Sequence, residues 1–488
     1  MMSSLKQQTF SGVLWSAIER FSVQGIQFAL SLIIARQLLP SDYGLIAMLS
    51  IFLAIAQCFV DSGFSNALIQ KQDRTQTDFS TVFYFNIAIG VLVYLLLLLC
   101  APIIASFYKQ PLLEDIIIWI GLNVVINSFV VVQRAILSIK LNFRKQALAS
   151  LLAVIVSGVV ALYMALNGFG VWTLVVQGLL NAFVNALVLW LVSKWKPSLV
   201  FSLNSFRKLF SFGSKLLAGG LLHTIYSNLY TLIVGKVFST RELGLYSKAS
   251  ALADFPSTNS SEILNRVFYP VLCKLQDNDE ILTVKFYQFI RLTAFVVFPM
   301  MIGLAMIAEP LIRLILTDKW CGIVQYMQIL CFAYMWSPIM KMSWNLLNVK
   351  HRTDLSLKSE IVKKITAFVI LFATIPWGIK MMCYGRILYS LADLFIILCF
   401  TRKVLPNVTI HQHVKNLFPI FFQTLLMGGI VYIWILCFEN TLIQLVGGVF
   451  VGGISYVLTS LILNKKEIDL ITSLLNIRIE TKHIDNAN

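Results

Sequence analysis

The sequence predicts an all-α, polytopic membrane protein of about fourteen transmembrane helices, and three observations carry that prediction. Of its 488 residues, 58% are hydrophobic and 13% charged, with a mean hydropathy of +0.80, against about 45–50% and about 25% in soluble chains. The apolar residues fall into blocks roughly 20–28 residues long, the length that crosses a hydrocarbon core. These blocks are continuous rather than alternating. A spanning segment must satisfy its backbone amides internally, so continuous blocks of this length are helices and not barrel strands.

In chain order the predicted spans cover 11–35, 44–69, 79–106, 113–138, 147–166, 170–193, 209–236, 244–272, 286–308, 321–347, 357–376, 380–400, 416–438 and 441–463. The first carries Glu19 and Arg20 in its middle. A cleavable signal core does not tolerate such charges, so this block reads as a membrane helix. The link at Pro376-Trp377-Gly378 between the eleventh and twelfth spans is short, and fusing them leaves thirteen.

A net charge of +16 raises nucleic acid as a partner, but the basic residues sit in short loops between apolar blocks, which excludes that class. With the N-terminus in the cytoplasm, 25 Lys and Arg from Lys6 to Lys482 fall on the cytoplasmic side and 8 on the other. Cytoplasmic loops retain Lys and Arg, so the asymmetry predicts an even helix number with both termini cytoplasmic. The eight cysteines form no CxxC pair and read as small core residues, with neither a metal site nor a disulfide framework.

The chain repeats itself. ARQLLPSDYGLIA at 35–47 aligns with GKVFSTRELGLYS at 235–247. At a constant offset of 200, Arg36 matches Lys236, Asp42 matches Glu242, Gly44 matches Gly244 and Leu45 matches Leu245. Gln24, Gln27 and Ser31 lie over Thr224, Ser227 and Thr231. Six helices per repeat give both halves the same orientation. The expected architecture is two parallel six-helix lobes around a central cavity, related about the membrane normal. Residues 1–203 form the first lobe and 204–404 the second; 405–488 add two helices and a cytoplasmic tail. Gly448-Val-Phe-Val-Gly452 in the last span is a close-packing face.

Charged residues inside a bilayer cost about 2.5–3.5 kcal/mol each on insertion scales and face a partner or a watery cavity. Arg20, Lys215, Lys248, Arg266, Arg291 and Lys341 fall within spans, as do Glu19, Asp61, Asp254, Glu262 and Asp393. Polar residues share one helical face in several spans: Ser16, Arg20, Gln24, Gln27 and Ser31 in the first; Ser50, Gln57, Asp61 and Ser65 in the second; Asn123, Asn127 and Arg134 in the fourth. Thr224, Ser227, Asn228 and Thr231 recur in the seventh, and Lys248, Asn259, Glu262 and Arg266 in the eighth. Blander readings compete. Glu262 and Arg266 have the spacing of an intrahelical ion pair, Lys215, Arg291 and Lys341 are near enough to a membrane face to snorkel, and His223, taken as the one histidine within a helix, suits a packing role. No P-loop, zinc-protease, nucleophile-elbow or dinucleotide motif occurs. The expectation is a transporter, not an enzyme, with no cofactor and no metal.

The stretch SGVLWSAIERFSVQGIQFALSLIIARQLLPSDYGLIAMLSIFLAIAQCFVDSGFSNALIQ resembles the N-terminus of bacterial lipopolysaccharide and exopolysaccharide flippases. These form the polysaccharide-transport branch of the multidrug/oligosaccharidyl-lipid/polysaccharide exporter superfamily. The resemblance continues through TDFSTVFYFN, GFGVW, SKWKPSL, LFSFGSKLL, FIRLTAF and AEPLI, over roughly residues 10–400, and LLPSDYGLIA is its most specific element. It implies translocation of undecaprenyl-pyrophosphate-linked oligosaccharide repeat units across the bacterial cytoplasmic membrane by alternating access. It also implies a lipid-linked oligosaccharide as partner, glycan polymerase and chain-length proteins nearby, and a monomer. A pyrophosphate carries about two negative charges, which Arg and Lys neutralise. The implied substrate-binding set is Arg20, Gln24, Gln27, Lys215, Lys248, Arg266 and Asn228, with Arg20 as anchor and Glu19 and Asp61 as coupling candidates. Three rivals remain: a drug/cation antiporter of the same superfamily, disfavoured because cations accompany the acids; a flippase of the peptidoglycan lipid precursor; and a membrane enzyme polymerising sugars, disfavoured because the longest outer loop, around 309–320, is about a dozen residues.

Overall fold

The computed structural model describes residues 22–61, 63–464 and 467, apart from the side chains of residues 66, 211, 212, 215, 216 and 226. Every described secondary-structure element is helical. In order they are α1 (22–37), α2 (Pro40–Asp61), α3 (Phe64–Gln70), α4 (Gln76–Tyr108), α5 (Leu112–Ser128), α6 (Val131–Ile139), α7 (Phe143–Leu166), α8 (Val171–Ser193) and α9 (Leu203–Val237). There follow α10 (Thr240–Lys274), α11 (Asp279–Met306), α12 (Ala308–Leu316), α13 (Ile323–Tyr334), α14 (Ser337–Val349), α15 (Thr353–Thr374), α16 (Ile379–Arg402), α17 (Ile410–Cys437) and α18 (Thr441–Leu463).

Among the described residues, ten helical stretches are long and apolar enough to cross a membrane. The other predicted spans fall on α10, α13–α14 and α15, which are helical but shorter or more polar, and on α1, of whose predicted span residues 11–21 lie outside the described residues. The chain is a multi-pass membrane protein. Its helix ends are satisfied locally, as they must be near a bilayer. Asn142, Ser202, Asn278 and Thr409 each accept a backbone N–H at the start of α7, α9, α11 and α17, and Thr75 with Asp78 forms a reciprocal capping box on α4.

Several boundaries differ from expectation. The second span breaks at Gly63, whose φ of 70° suits glycine, the fourth at Phe129–Val130, and the tenth at Met335–Trp336, just before Pro338. The presumed outer loop at 309–320 is instead α12 plus a 3-10 turn, Asp318–Trp320, with Trp320 fully buried. The link between α15 and α16 is a 3-10 turn, Ile375–Trp377, closed by Gly378 at φ 90°, so the two helices are separate. The helix read from 416 starts at Ile410, which brings His411 and His413 into it; His223 is therefore not the one helical histidine. The final pair packs through its glycines: a Cβ on Gly452 would lie 2.9 Å from Val431 of α17.

By contact the chain divides into two compact units, Met1–Ser247 and Lys248–Asn488, and the division falls inside α10. In the first unit α7 packs on α8, α4 on α5, and α9 on α2 and α4. In the second, α11 packs on α17 and α13, α15 on α16, and α17 on α18.

Candidate functional site

The repeat motif proves to be a reciprocal joint. Leu39 N–H donates to Asp42 Oδ2 at 2.9 Å at the start of α2, and Ser239 N–H donates to Glu242 Oε2 at 3.2 Å at the start of α10. The repeated acid is thus the third residue of a helix cap, used twice. Two residues on, the helices cross at Gly44 and Gly244. A Cβ added to Gly44 would lie 1.9 Å from the Thr240 carbonyl oxygen, and one on Gly244 would lie 1.7 Å from the Pro40 carbonyl oxygen. Pro40 and Thr240 are themselves equivalent at offset 200, so each repeat lays its backbone against the other's glycine. Beside the crossing, Lys236 Nζ donates to the Phe107 carbonyl at 2.5 Å and sits 4.1 Å above that ring.

Below this joint the polar stripes of the second, fourth and seventh predicted helices converge. Ser50 Oγ reaches Asn228 Oδ1 at 3.5 Å, and Cys58 Sγ lies 3.0 Å from Thr224 Oγ1. Gln57 Nε2 donates to Asp61 Oδ1 at 3.1 Å and its Oε1 accepts from Asn127 Nδ2 at 3.2 Å. Arg134 is close enough to act on the Asp61 charge. One chain of polar contacts therefore links α2, α5 and α6, and a second links α2 to α9. Gln24 is half-buried and Gln27 exposed on α1.

Arg20 and Glu19 lie outside the described residues, as does the Lys215 side chain. Lys248 is buried and Arg266 exposed on α10. The structure thus joins Asn228 and Asp61 to the polar network of the first unit, while Lys248 and Arg266 belong to the second.

Sequence reasoning missed a charge cluster in the second unit. Lys363 Nζ sits 2.5 Å from Glu360 and 3.3 Å from Asp393, with Lys364 3.7 Å from Glu360. Lys363 and Asp393 are each 7% exposed. Lys363 is buried against α16, well inside α15. Nearby, Ser250 Oγ meets Tyr334 OH at 2.8 Å and Arg386 lies 5.5 Å over the Tyr334 ring. Arg291 pairs with Glu467 and reaches Asn464, which donates to Gln423. In the first unit the amides of Asn86 and Gln133 are wholly buried without hydrogen-bond partners; lone amides within apolar blocks give no periodic signal.

Residues 33–325, more than half of the chain, match the family described as "Polysaccharide biosynthesis protein". The chain belongs to this family. Similar curated proteins include the lipopolysaccharide biosynthesis protein WzxC of Escherichia coli strain K12, 26% identical over 366 residues covering 74% of each chain. The teichuronic acid biosynthesis protein TuaB of Bacillus subtilis strain 168 is 25% identical, over 77% of this chain and 78% of its own. Among solved structures, the lipid II flippase MurJ in its inward closed conformation shares the fold with a TM-score of 0.75 at 14% identity, covering 93% of this chain and all of its own. The chain thus shares its fold with that structure and its sequence with relatives named for polysaccharide biosynthesis.

Proposed function

We propose that the chain flips undecaprenyl-pyrophosphate-linked oligosaccharide repeat units from the inner to the outer leaflet of the bacterial cytoplasmic membrane, by alternating access. The observation that carries this reading is family membership over 33–325, with relatives named for polysaccharide biosynthesis. The chemistry agrees. A sugar head must cross about 30 Å of hydrocarbon, and polar side chains within spanning helices supply hydrogen bonds in place of water. The network Ser50–Asn228 and Asn127–Gln57–Asp61 is of that kind. The chain transports and does no covalent chemistry.

The pyrophosphate is held by Arg20, assisted by Lys215 and Lys248, with Gln24, Gln27, Asn228 and Arg266 contributing polar contacts. Arg is the better anchor because its planar guanidinium grips two oxygens and keeps its charge when dehydrated. Glu19 and Asp61 tune that charge during coupling. Both termini are cytoplasmic, in keeping with the asymmetry of Lys and Arg along the chain. The transporter acts as a monomer, beside the polymerase and chain-length proteins that use its product.

The test is surface glycan in cells that depend on this chain. Loss of the chain removes surface glycan and leaves lipid-linked repeat units at the inner leaflet; unchanged glycan refutes the function. Arg20→Ala abolishes display at normal protein level, and Arg20→Lys retains part of it. Full display by a normally expressed Arg20→Ala protein removes Arg20 from the site without touching the transport reading.

A further inference from the structure

Helices α16 and α17 follow one another in the chain but pack on different neighbours: α16 on α13, α14 and α15, α17 on α11 and α18. Between them runs a groove of about 280 Å³. Leu391, Leu394 and Phe395 form one wall, Val414 and Phe418 the other, and Trp336 contributes from the break before α14. Phe395 is 56% exposed and Phe418 59%, so the groove is open along its length and its rim is apolar. On α17 it extends from Ile410 to Phe421, roughly 16 Å at about 1.5 Å per residue, close to half of a ~30 Å hydrocarbon core. That is one leaflet, the depth of a single acyl chain.

One further feature identifies the occupant, the charge at one end of the groove. Arg402 and Lys403 stand at the Ile410 end, and Lys415 lies about 7.5 Å along α17 from Ile410, within reach of that end for a long side chain; all three are exposed. Basic residues at such an end attract anionic headgroups. Two nitrogens among the lining residues, Trp336 Nε1 and His413 Nε2, are buried without hydrogen-bond partners. The other ring nitrogen of His413 is engaged by Tyr287 OH at 3.1 Å. Both nitrogens are closed off from the groove, so they belong to the packing beneath it and not to its lining surface.

We propose that the α16–α17 groove is a binding site for an anionic glycerophospholipid of the surrounding bilayer, its acyl chain between the two helices and its headgroup against Arg402, Lys403 and Lys415. The site is independent of whatever the chain transports. It holds α17, and α18 behind it, at a fixed distance from α16.

The experiment uses the full chain in nanodiscs of phosphatidylcholine doped with a diazirine-acyl phosphatidylglycerol, and in a parallel set with the same diazirine on phosphatidylcholine. Photolabelled peptides are mapped by mass spectrometry. Each basic residue contributes about fivefold preference for an anionic lipid, so phosphatidylglycerol should label residues 391–398 and 414–421 at least tenfold more than phosphatidylcholine. Leu394→Trp fills the groove and should remove the label. The triple variant Arg402→Gln, Lys403→Gln, Lys415→Gln leaves the walls intact and should bring the two lipids to parity. Equal labelling by both lipids in the unsubstituted chain, or label confined to other helices, overturns the proposal. So does displacement of the label by unlabelled prenyl pyrophosphate but not by unlabelled phosphatidylglycerol, which would assign the groove to the transported lipid.

Discussion

Substituting Gly44 by alanine tests the reciprocal joint directly. The added methyl would stand 1.9 Å from the Thr240 carbonyl oxygen and 2.7 Å from its carbon, whereas ordinary contact begins near 3.4 Å. The helices must therefore separate by about 1.5 Å at the crossing, because both obstructing atoms are backbone and no side chain can rotate away. Overpacking of this kind costs about 1–3 kcal/mol, and the lost Cα–H···O contacts add about 0.5–1 kcal/mol each. Gly25 in α1, with no atom of the described residues within 4 Å of its added methyl, is the matched control; there alanine should be neutral or stabilising by up to about 1 kcal/mol through helix propensity. The assay is thermal unfolding of purified protein, with glycan display in parallel. Gly44→Ala and Gly244→Ala should each lower the midpoint by several degrees. The double variant should lose less than the sum, because the first displacement makes room for the second methyl. If Gly44→Ala is as well tolerated as Gly25→Ala, or the pair is simply additive, the joint is not as described.

Asp78 is 1% exposed and accepts from Lys71 at 2.7 Å and from Thr75 N–H at 2.8 Å. Asp78→Ala strands these donors and should cost about 3–5 kcal/mol; a loss below about 1 kcal/mol by thermal unfolding would contradict the pairing. Lys363→Met alone should destabilise by a similar amount by leaving Asp393 uncompensated, and adding Asp393→Leu should recover most of it. A double variant worse than either single would show the pair to be stabilising in itself. For topology, cysteines placed in loops 140–146 and 194–208 should resist a membrane-impermeant thiol reagent added from outside and react after permeabilisation. Labelling in intact cells would invert the map.

The apolar blocks made the spanning helices legible, because block length answers directly to bilayer thickness. Their interruptions were less so. Pro338 announces the break near Trp336, but nothing at Phe129–Val130 does, since neither residue is a helix breaker. The α12 helix reads as a loop because nine residues are too few to cross, yet Glu309 and Arg313, 2.9 Å apart at i,i+4, carried its signature. The repeat was visible as matched residues at offset 200, and Ser239–Glu242 has the spacing of a capping box. That each glycine touches the other copy could not be read, because a contact between distant segments leaves only the glycines themselves. Asp61 and Asn228 were found as members of polar stripes. Lys363 and Asp393 were not paired because single charges on two different helices show no spacing that relates them.

The bond between Arg291 and Glu467 joins residues 176 positions apart, which bears on how the protein is made. Synthesis proceeds at about 5–20 residues per second, so α11 leaves the ribosome roughly 10–35 seconds before its carboxylate exists. During that interval an arginine lies in a nascent membrane helix without its counter-charge, and Asn464 and Gln423 of the closing network are also still to come. A chain arrested short of residue 467 never acquires this carboxylate, so the pairing of Arg291 waits on a segment beyond the last spanning helix.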